Sequence, residues 1–372
     1  MSERKRVVIN LLNFTDSQIA GAGVFARNLL RAWFKASSLD DIVIYHSDLI
    51  NVSEVFGLTE FKWIKFKTNS SRSLWSRIFY EQLLLPFSIR GSHVYFSPTP
   101  VMPFLSRVVN PKMRHIITIH DMIPFFVANK YGRFRSAYVK FISKYGARMS
   151  SNVITVSENS KQDICDITSV RPEKVSVVYN FIPSDLISMG SSYERFFISI
   201  STIEPGKNIE NTLRGFRNFL NSSSYPDFKF YWIGKVGWGY KLENLMQEIG
   251  RLNLQDSFFL LGYVSNERKN ELLKACTAMI YLSHYEGFGL PVLEALHFNK
   301  PSVVSNTSSL PEVVGRAGII CDKEDAYSIE AAMTSVVTNL HDYIREIPYQ
   351  LHKFTEESQI IKFLNVIDLK IE

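Results

Sequence analysis

The chain of 372 residues has little cysteine and no long apolar run. Its three cysteines, Cys165, Cys276 and Cys321, are far apart, so they form neither a disulfide framework nor a metal cluster, and a reducing cytoplasm fits. No apolar stretch approaches the ~20 residues that a membrane-spanning helix needs. The apolar residues 7–12 are interrupted by Asn10 and lack a small-residue cleavage site, which favours a first β-strand over a signal peptide.

Several motifs of phosphate and metal chemistry are also missing. No two aspartates stand two apart, which excludes the Asp-x-Asp metal clamp of many sugar-nucleotide enzymes. No histidine/cysteine cluster has ligand spacing, and no Walker loop is present. Any phosphate must therefore be held by helix N-termini, glycine amides and cations, and we expect no metal or other cofactor.

Charge is distributed unevenly along the chain. Residues 1–185 carry 24 Lys+Arg against 14 Asp+Glu, whereas the remainder carries 18 against 22. A basic first half indicates an anionic surface or partner. The excess is modest and no recognition motif accompanies it, so nucleic acid is not expected as a partner.

Apolar strand-like stretches alternate with helical ones. The first series of strands is predicted at 6–12, 42–45, 94–96, 115–119, 153–156 and 175–179, with a helix at 23–36. A linker-like stretch at 181–194 precedes a second series at 196–200, 228–233, 258–261, 279–282 and 302–305. This order predicts an α/β protein of two Rossmann-like, doubly wound domains, 1–185 and 195–340, facing each other across a deep cleft. The helical segment 341–372 is expected to pack back on the first domain.

Residues 279–296 form the most informative stretch. It opens as a buried strand, breaks at Glu286-Gly287-Phe288-Gly289, and continues from Leu290 and Pro291 as a helix that contains Glu294. The amides and the dipole of such a helix start attract phosphate. The alternative is a purely structural turn with two solvent-facing glutamates.

Two polar features of the first half also suggest chemistry. His120-Asp121 follows the strand at 115–119 and would project from the carboxyl edge of the sheet. Gly21-Ala22-Gly23 matches a dinucleotide fingerprint weakly, because about eight residues separate it from the preceding strand, whereas that fingerprint must follow its strand at once. A loop entering a helix fits Gly21 and Gly23 better.

Residues 129–148 contain six basic side chains and no acid. Their aromatic and aliphatic residues recur at helical spacing, which is typical of a helix on an anionic membrane surface. The alternative is an ordinary helix whose aromatic stripe lies in the core.

Taken together, these motifs resemble the retaining glycosyltransferases of family four, which have the GT-B fold. The resemblance covers nearly the whole chain and rests on the following segments: the Gly21/Gly23 loop, His120-Asp121, Val156-Ser157, Glu204-Pro205-x-Lys207-Asn208, Gly262, Glu286-Gly287-Phe288-Gly289, Glu294, Ser305-Asn306, 311–315 and 354–356. The two glutamates eight residues apart around Gly-Phe-Gly are its most specific part.

The resemblance implies a donor-binding second domain and an acceptor-binding first domain. Lys207 would neutralise the diphosphate of a nucleotide-sugar, Glu286 would hold sugar and phosphate, and Glu294 would bind the ribose. His120 would approach the donor sugar, and the acceptor side would be shaped by Gly21, Gly23 and Asp121. The remaining donor-site residues would be Ser201, Asn208, Gly262, Tyr263, Val264, Gly287, Phe288, Gly289 and Leu290.

One departure from the family pattern concerns cations. The family usually places an arginine beside the lysine or six residues before it, where this chain has Gly206 and Ser201. Neutralisation of phosphate would then be weaker or come from Lys235 or Arg214. A degenerate, inactive copy is the opposite interpretation, but both glutamates, His120 and Lys207 are present.

The leading hypothesis is a cytoplasmic, metal-independent, retaining glycosyltransferase that extends a lipid-linked cell-surface polysaccharide at the inner face of the plasma membrane. His120 to Pro124 and Glu204 to Asn208 resemble mannosyltransferases of O-antigen assembly, so GDP-mannose is the first candidate donor, with a UDP-sugar or rhamnosyl donor as alternatives. A nicotinamide-dependent dehydrogenase and a non-catalytic binding protein are the hypotheses of other classes.

Overall fold

A computed structural model describes residues 5–15, 21–36, 41–70, 73–126, 133–183, 192–221 and 224–367. The strands are β1 Arg6–Leu11, β2 Asp41–Ser47, β3 Lys65–Asn69, β4 Val94–Ser97, β5 Arg114–Thr118, β6 Asn152–Thr155, β7 Val175–Val177, β8 Phe196–Ile200, β9 Lys229–Ile233, β10 Phe258–Gly262, β11 Ala278–Tyr281, β12 Ser302–Ser305 and β13 Gly318–Cys321. The alternation predicted from the sequence is confirmed.

The helix predicted at 23–36 is confirmed, and it begins one residue earlier. The α-helices are α1 Ala22–Ala36, α2 Val52–Val55, α3 Leu74–Phe79, α4 Leu85–Ser88, α5 Ser106–Val109, α6 Ile123–Phe126, α7 Arg133–Met149, α8 Glu158–Thr168, α9 Ile209–Asn221, α10 Leu242–Arg251, α11 Asn266–Ala275, α12 Leu290–His297, α13 Leu310–Val314, α14 Ala326–Thr338, α15 Leu340–Leu351 and α16 Glu356–Ile367. A π-helical turn, Tyr80–Leu84, joins α3 to α4. None of the helices in the described residues combines the length and apolarity that crossing a bilayer requires.

The chain divides into two compact units, one of residues 1–183 with 356–372 and the other of residues 184–355. The first holds a seven-stranded parallel sheet of order β3-β2-β1-β4-β5-β6-β7, and the second a six-stranded parallel sheet of order β10-β9-β8-β11-β12-β13. Both are doubly wound Rossmann-like sheets, as predicted. Most central strands are buried on both faces, which explains their continuous apolar runs.

Two observed strands, β3 and β13, were not predicted from the sequence, each for a local reason. In β3 four of five residues are exposed, so the strand has no buried face to produce an apolar alternation. The short strand β13 is only partly buried and pairs with β12 alone. Both lie at the edge of their sheet, and few of their side chains are buried, so their apolar sequence pattern is weak.

The C-terminal segment differs from the predicted 341–372. Helix α15 belongs to the second unit, where Ile347 packs with Leu296 and Ala317, and Gln350 donates to the carbonyls of Glu312 and Val313 at 2.8 Å each. Only the residues from 356 onward join the first unit.

Helix α16 is fixed to the first sheet by aromatic packing. The ring of Phe363 lies 5.3 Å from Trp33 and 5.2 Å from Phe96. Apolar side chains spaced along α16 are buried, which is the pattern of a helix covering a sheet face.

Candidate active site

The Gly-Phe-Gly turn between β11 and α12 has the strand–turn–helix geometry predicted from the sequence. Gly289 stands at the helix N-cap with φ of 107°, and a Cβ there would lie 2.7 Å from Leu310 Cδ2. The left-handed conformation favours glycine at this position, and an added Cβ would also displace the Leu310 side chain. Pro291 occupies the first turn of α12.

Serines on the loop after β12 hold this turn in place. The amide of Glu286 donates to Ser308 Oγ at 2.9 Å, and the Ser309 hydroxyl reaches the carbonyls of Glu286 and Phe288 at 3.1 and 2.8 Å. The Phe288 ring packs edge-on against Phe354. These contacts hold the backbone of the glycine turn in one conformation.

Lys207 lies beside the turn as a paired cation. It ends a short 3₁₀ turn, Pro205–Lys207, and the amide of His284 donates to the carbonyl of Gly206 at 2.9 Å, which ties this loop to the end of β11. The Lys207 ammonium forms an ion pair with the Glu286 carboxylate and lies 3.4 Å from the Tyr281 hydroxyl. Both side chains of the pair are mostly buried, at 16% and 14% exposure.

The surroundings keep Lys207 charged. Burial alone would lower the pKa of Lys207, but the Glu286 carboxylate and the Tyr281 hydroxyl outweigh it and raise that pKa above the usual lysine value. Burial, with the Glu286 charge, also raises the pKa of Tyr281, so its hydroxyl stays protonated. The result is an ammonium that stays charged in an ion pair at the glycine turn.

Glu294 is the second carboxylate of the predicted site. It lies on α12 and accepts a hydrogen bond from Lys269 Nζ, on α11, at 2.8 Å. Both side chains are partly exposed, at 21% for Lys269 and 29% for Glu294. The two predicted glutamates are therefore each matched with a lysine from another element.

Asn208 and Ser201 make structural contacts. Asn208 adopts φ of 57° at the start of α9, and its amide nitrogen donates to the carbonyl of Lys323 at 2.8 Å. The carbonyl of Ser201 accepts the Trp232 indole N–H at 3.0 Å. The carbonyl of Lys235 accepts the Ile203 amide at 2.9 Å, which sets Lys235 close to the loop that carries Lys207.

The predicted base-contacting segment ends strand β10. Gly262 has φ of 66°, and its carbonyl accepts the amide of Gly234 at 2.8 Å. Tyr263 is 73% exposed, and Val264 is partly buried. The backbone at Gly262 thus joins the ends of β9 and β10.

In the first unit, His120 is a neutral imidazole. Its Nε2 lies 2.9 Å from the Pro98 carbonyl, and its ring packs edge-on against Phe25 at 5.2 Å. Burial lowers the pKa of His120 to about 4. With Nε2–H donated to that carbonyl, the lone pair lies on Nδ1.

The other predicted residues of this unit lie close by in the fold. Gly21, with φ of 45°, directly precedes α1, and Gly23 is buried in its first turn, two residues before Phe25. Asp121 accepts the Ile123 amide at 2.9 Å and so caps the start of α6. Helix α1 therefore brings the glycines to the same edge as His120.

The dinucleotide fingerprint is not formed around Gly21. Strand β1 ends at Leu11 and helix α1 begins at Ala22, and residues 16–20 lie outside the described part of the chain. A pyrophosphate cradle needs the glycines directly at the strand end. This separation removes the motif on which the dehydrogenase hypothesis depended.

A buried polar cluster in the first unit was missed by sequence reasoning. The Glu81 side chain is fully buried on the π-helical turn and accepts a hydrogen bond from Asn10 Nδ2 at 3.1 Å, and Asn10 also reaches the Tyr95 hydroxyl at 2.9 Å. Burial raises the pKa of Glu81 to about 7, even though Arg77 lies 3.8 Å away. The polar Asn10 within an otherwise apolar strand is the sequence feature that could have indicated this buried cluster.

The described residues contain no group of three or more His, Cys, Asp or Glu side chains placed to hold a metal ion. Tyr281, Ser308, Ser309 and Lys269 complete the glycine-turn region, and none of them stood out in the sequence. Their contacts with the turn join segments that are distant along the chain.

Known proteins that resemble this chain are glycosyltransferases or share their fold. Two domain families match the chain: "Glycosyltransferase Family 4" over residues 19–186 and "Glycosyl transferases group 1" over residues 190–349. Solved structures of similar fold include the lipopolysaccharide outer core galactosyltransferase WaaB, with a TM-score of 0.74 and 15% identity, covering 98% of this chain and 99% of that one. Anabaena Alr3699/HepE in complex with UDP aligns with a TM-score of 0.76 and 14% identity over 98% of this chain and 99% of that one.

The two parallel-sheet units are those of a GT-B protein, and the chain belongs to the family-four-like glycosyltransferases. Curated relatives include the O-antigen chain mannosyltransferase B of Escherichia coli, 29% identical over 59% of this chain and 60% of that protein. RfbU, an O-antigen chain mannosyltransferase of Salmonella typhimurium, is 26% identical over 59% of this chain and 60% of that protein. The chain thus spans about 60% of the length of these relatives.

Proposed function

We propose that this protein is a retaining, metal-independent glycosyltransferase that moves mannose from GDP-mannose to a hydroxyl of a growing, lipid-linked polysaccharide. The observation that carries the proposal is the permanently charged Lys207, paired with Glu286 at the glycine turn that opens α12. This arrangement lies within the domain that matches glycosyl transferases group 1.

The chemistry of the turn suits a departing nucleoside diphosphate. Glycosyl transfer develops negative charge on the leaving phosphate, which a preorganised ammonium and backbone amides stabilise. Lys207 supplies the ammonium, and residues 287–289 supply amides at the helix start. No metal ion is needed for this role in the proposal.

Donor binding would replace Glu286 by the donor phosphates as the partner of the Lys207 ammonium. The phosphate oxygens of the donor would take over that ammonium, and this would release the Glu286 carboxylate to hold hydroxyls of the sugar. Glu294 would bind the ribose, and the backbone at 262–264 would meet the base. Since Lys269 already orients Glu294 at 2.8 Å, the second carboxylate would be in place before the donor arrives.

The acceptor would be bound by the first unit. His120 would present a neutral imidazole toward the transferred sugar, because its low pKa keeps it uncharged. Retention without a carboxylate nucleophile implies front-face attack, in which the departing phosphate takes the proton of the acceptor hydroxyl. The base is then supplied by the leaving group itself.

The donor and acceptor are proposed from the curated relatives. Two of them are named O-antigen chain mannosyltransferases, and three Escherichia coli proteins named WbdA, "serotype-specific mannosyltransferase", are 23% identical over about 70% of this chain. GDP-mannose and a lipid-linked glycan at the cytoplasmic face of a membrane fit these names. Helix α7, which covers most of the stretch 129–148, would add a peripheral contact with anionic lipid; residues 129–132 lie outside the described part of the chain.

The test is a panel of GDP-, UDP- and dTDP-sugars with the purified protein, scored by release of the nucleoside diphosphate with and without EDTA. GDP release from GDP-mannose alone, unchanged by EDTA, is expected. Release only from UDP-sugars would overturn the mannose proposal, and loss of activity in EDTA would overturn metal independence.

Glu286→Ala separates an enzyme from a non-catalytic binding protein. The variant should lose at least about 100-fold in nucleotide release, because the site loses the partner that fixes Lys207 and the sugar. The matched control is Glu271→Ala, an exposed glutamate on α11. Wild-type protein that binds donor but shows no turnover with any acceptor glycan would favour the binding interpretation.

A further inference from the structure

The helical segment 74–88 of the first unit, formed by α3, the π-helical turn and α4, has its polarity reversed. Its buried side carries Glu81, together with Leu85 and Pro86. Its outer side carries large apolar side chains at every fourth position and one more beside them: Trp75 at 66% exposure, Phe79 at 55%, Leu83 at 46%, Phe87 at 60% and Leu84 at 49%. A surface helix ordinarily shows the opposite arrangement.

Polar contacts on the inner side fix this orientation. The buried Glu81 carboxylate accepts from Asn10 at 3.1 Å, and Gln82 donates to the Met102 carbonyl at 3.0 Å while accepting the Phe104 amide at 3.1 Å. At the far end, the Tyr45 hydroxyl donates to the carbonyl of Ser88 at 3.3 Å. The helix cannot turn its apolar side inward without breaking these bonds.

A second group of exposed apolar side chains lies on α7, which is linked to the segment 74–88 through Phe104. Phe104, held by Gln82, packs edge-on against Phe141 at 6.0 Å, and Phe141 lies 4.6 Å from Tyr145. Phe141 and Tyr145 are 51% and 42% exposed. These residues and the outer side of the segment 74–88 are called the apolar face below. Large apolar side chains that are exposed in such a group mark an interaction site.

Positive charge predominates in the stretch of chain that carries the apolar face. Residues 61–150 contain 15 Lys+Arg and two acids, Glu81 and Asp121. Glu81 is fully buried, and Asp121 is partly buried and caps α6. Lys67 lies 3.3 Å from the Tyr45 hydroxyl, and the Arg148 guanidinium lies 5.9 Å from the Tyr145 ring. The rim of the face therefore offers cations and no exposed carboxylate from this stretch.

We propose that the apolar face docks on an anionic lipid bilayer, with the outer side of the segment 74–88 inserted at the boundary between headgroups and acyl chains. Aromatic and leucine side chains over cations are the chemistry of interfacial helices. Basic residues near an anionic lipid surface strengthen such binding. A second copy of the chain fits less well, because it would present the same positive rim to itself.

This surface differs from the membrane helix predicted at 129–148. In α7 the predicted stripe is divided, because Ile142 is buried while Phe134, Phe141 and Tyr145 are exposed. The segment 74–88, which no sequence motif marked, supplies most of the apolar side chains of the face. The inference does not depend on the identity of the donor or acceptor.

Flotation of the full chain with vesicles tests the proposal. Binding is expected to phosphatidylcholine vesicles that contain about a quarter phosphatidylglycerol, to fall with added salt, and to be weak on phosphatidylcholine alone. Combined Trp75→Ser and Phe79→Ser substitutions should lower the partition coefficient by about tenfold or more, since each removes a large apolar side chain from the lipid. The matched control is Tyr327→Ser with Tyr349→Ser, two tyrosines of the second unit that are each 75% exposed.

The variants must keep the wild-type melting temperature, which is expected because both replaced side chains are exposed. Flotation that is equal for wild type and the Trp75/Phe79 variant would overturn the proposal. So would a wild-type dimer in sedimentation velocity that the same substitutions dissociate, because the face would then be an interface between copies. Nucleotide release measured without vesicles should be unchanged by these substitutions, which separates this test from that of the proposed activity.

Discussion

The two units share one architecture but treat ionisable side chains in opposite ways. In the second unit, Lys207 keeps its charge in an ion pair with Glu286 at the carboxyl ends of the strands. In the first unit, burial holds His120 neutral and raises the pKa of Glu81 to about 7. Fixed charge suits a diphosphate ligand, whereas neutral polar groups suit the hydroxyls of a glycan.

The two buried groups of the first unit act on stability with opposite signs. The pKa of Glu81 is raised from 4.5 to about 7, so its ionisation destabilises the folded state progressively as pH rises through this window. The pKa of His120 is lowered from 6.5 to about 4, so its contribution is present above 6.5 and is lost as pH falls toward 4. The wild-type protein should therefore show a flatter stability profile than variants that lack either group.

Lys207→Ala should have the largest effect. Removing one preorganised charge from the proposed leaving-group site is expected to lower kcat/KM by about 10²–10³-fold. Steady-state nucleotide release measures it, with the exposed Lys241→Ala as control. Activity within about threefold of wild type would mean that the charged pair of the second unit is structural, and the contrast between the units would lose its functional meaning.

Glu81→Gln should stabilise the protein at about pH 8. The raised pKa corresponds to a cost on the order of 3 kcal/mol for the ionised carboxylate, and the amide keeps an oxygen for Asn10 Nδ2. Near pH 4 the difference should vanish, because Glu81 is then protonated in both states. Urea unfolding at several pH values measures it, with the exposed Glu60→Gln as control. Destabilisation at pH 8 would show instead that Glu81 is ionised and stabilised by Arg77.

Gly289→Ala should destabilise the second unit by about 1–3 kcal/mol, because its φ of 107° and the nearby Leu310 side chain both oppose a Cβ. Thermal unfolding measures this change. Gly206→Ala is the matched control on the facing loop, since a Cβ there meets nothing within 4 Å. Equal melting temperatures for the two variants would show that the turn relaxes freely and is not preorganised.

Glu294→Gln should have the smallest effect. Loss of the carboxylate should raise KM for the donor by about tenfold and leave kcat nearly unchanged, as expected for binding that is equal in ground and transition states. Its ion pair with Lys269 is partly exposed, so stability should change by less than about 1 kcal/mol. Glu271→Gln on α11 is the control, and a fall in kcat with constant KM would contradict the ribose role.

The sequence by itself was sufficient for the alternation of strands and helices, the two Rossmann-like units and the turn at residues 286–289. These features are local: apolar periodicity, two glycines and a proline specify them within a few residues. It did not reveal β3, four of whose five residues are exposed, or the short strand β13, which is only partly buried. Nor did it show that α15 stays with the second unit while α16 joins the first.

Only the tertiary structure determines which charged side chains form ion pairs. Lys207 and Glu286 are 79 residues apart and Lys269 and Glu294 are 25 apart, and each pair forms because the ends of neighbouring elements converge in the fold. Glu81 looks like an ordinary solvated glutamate in the sequence, and only packing against Asn10 and Tyr95 makes it a buried acid beneath an apolar surface. Burial and long-range pairing depend on the whole fold, and no local pattern encodes them.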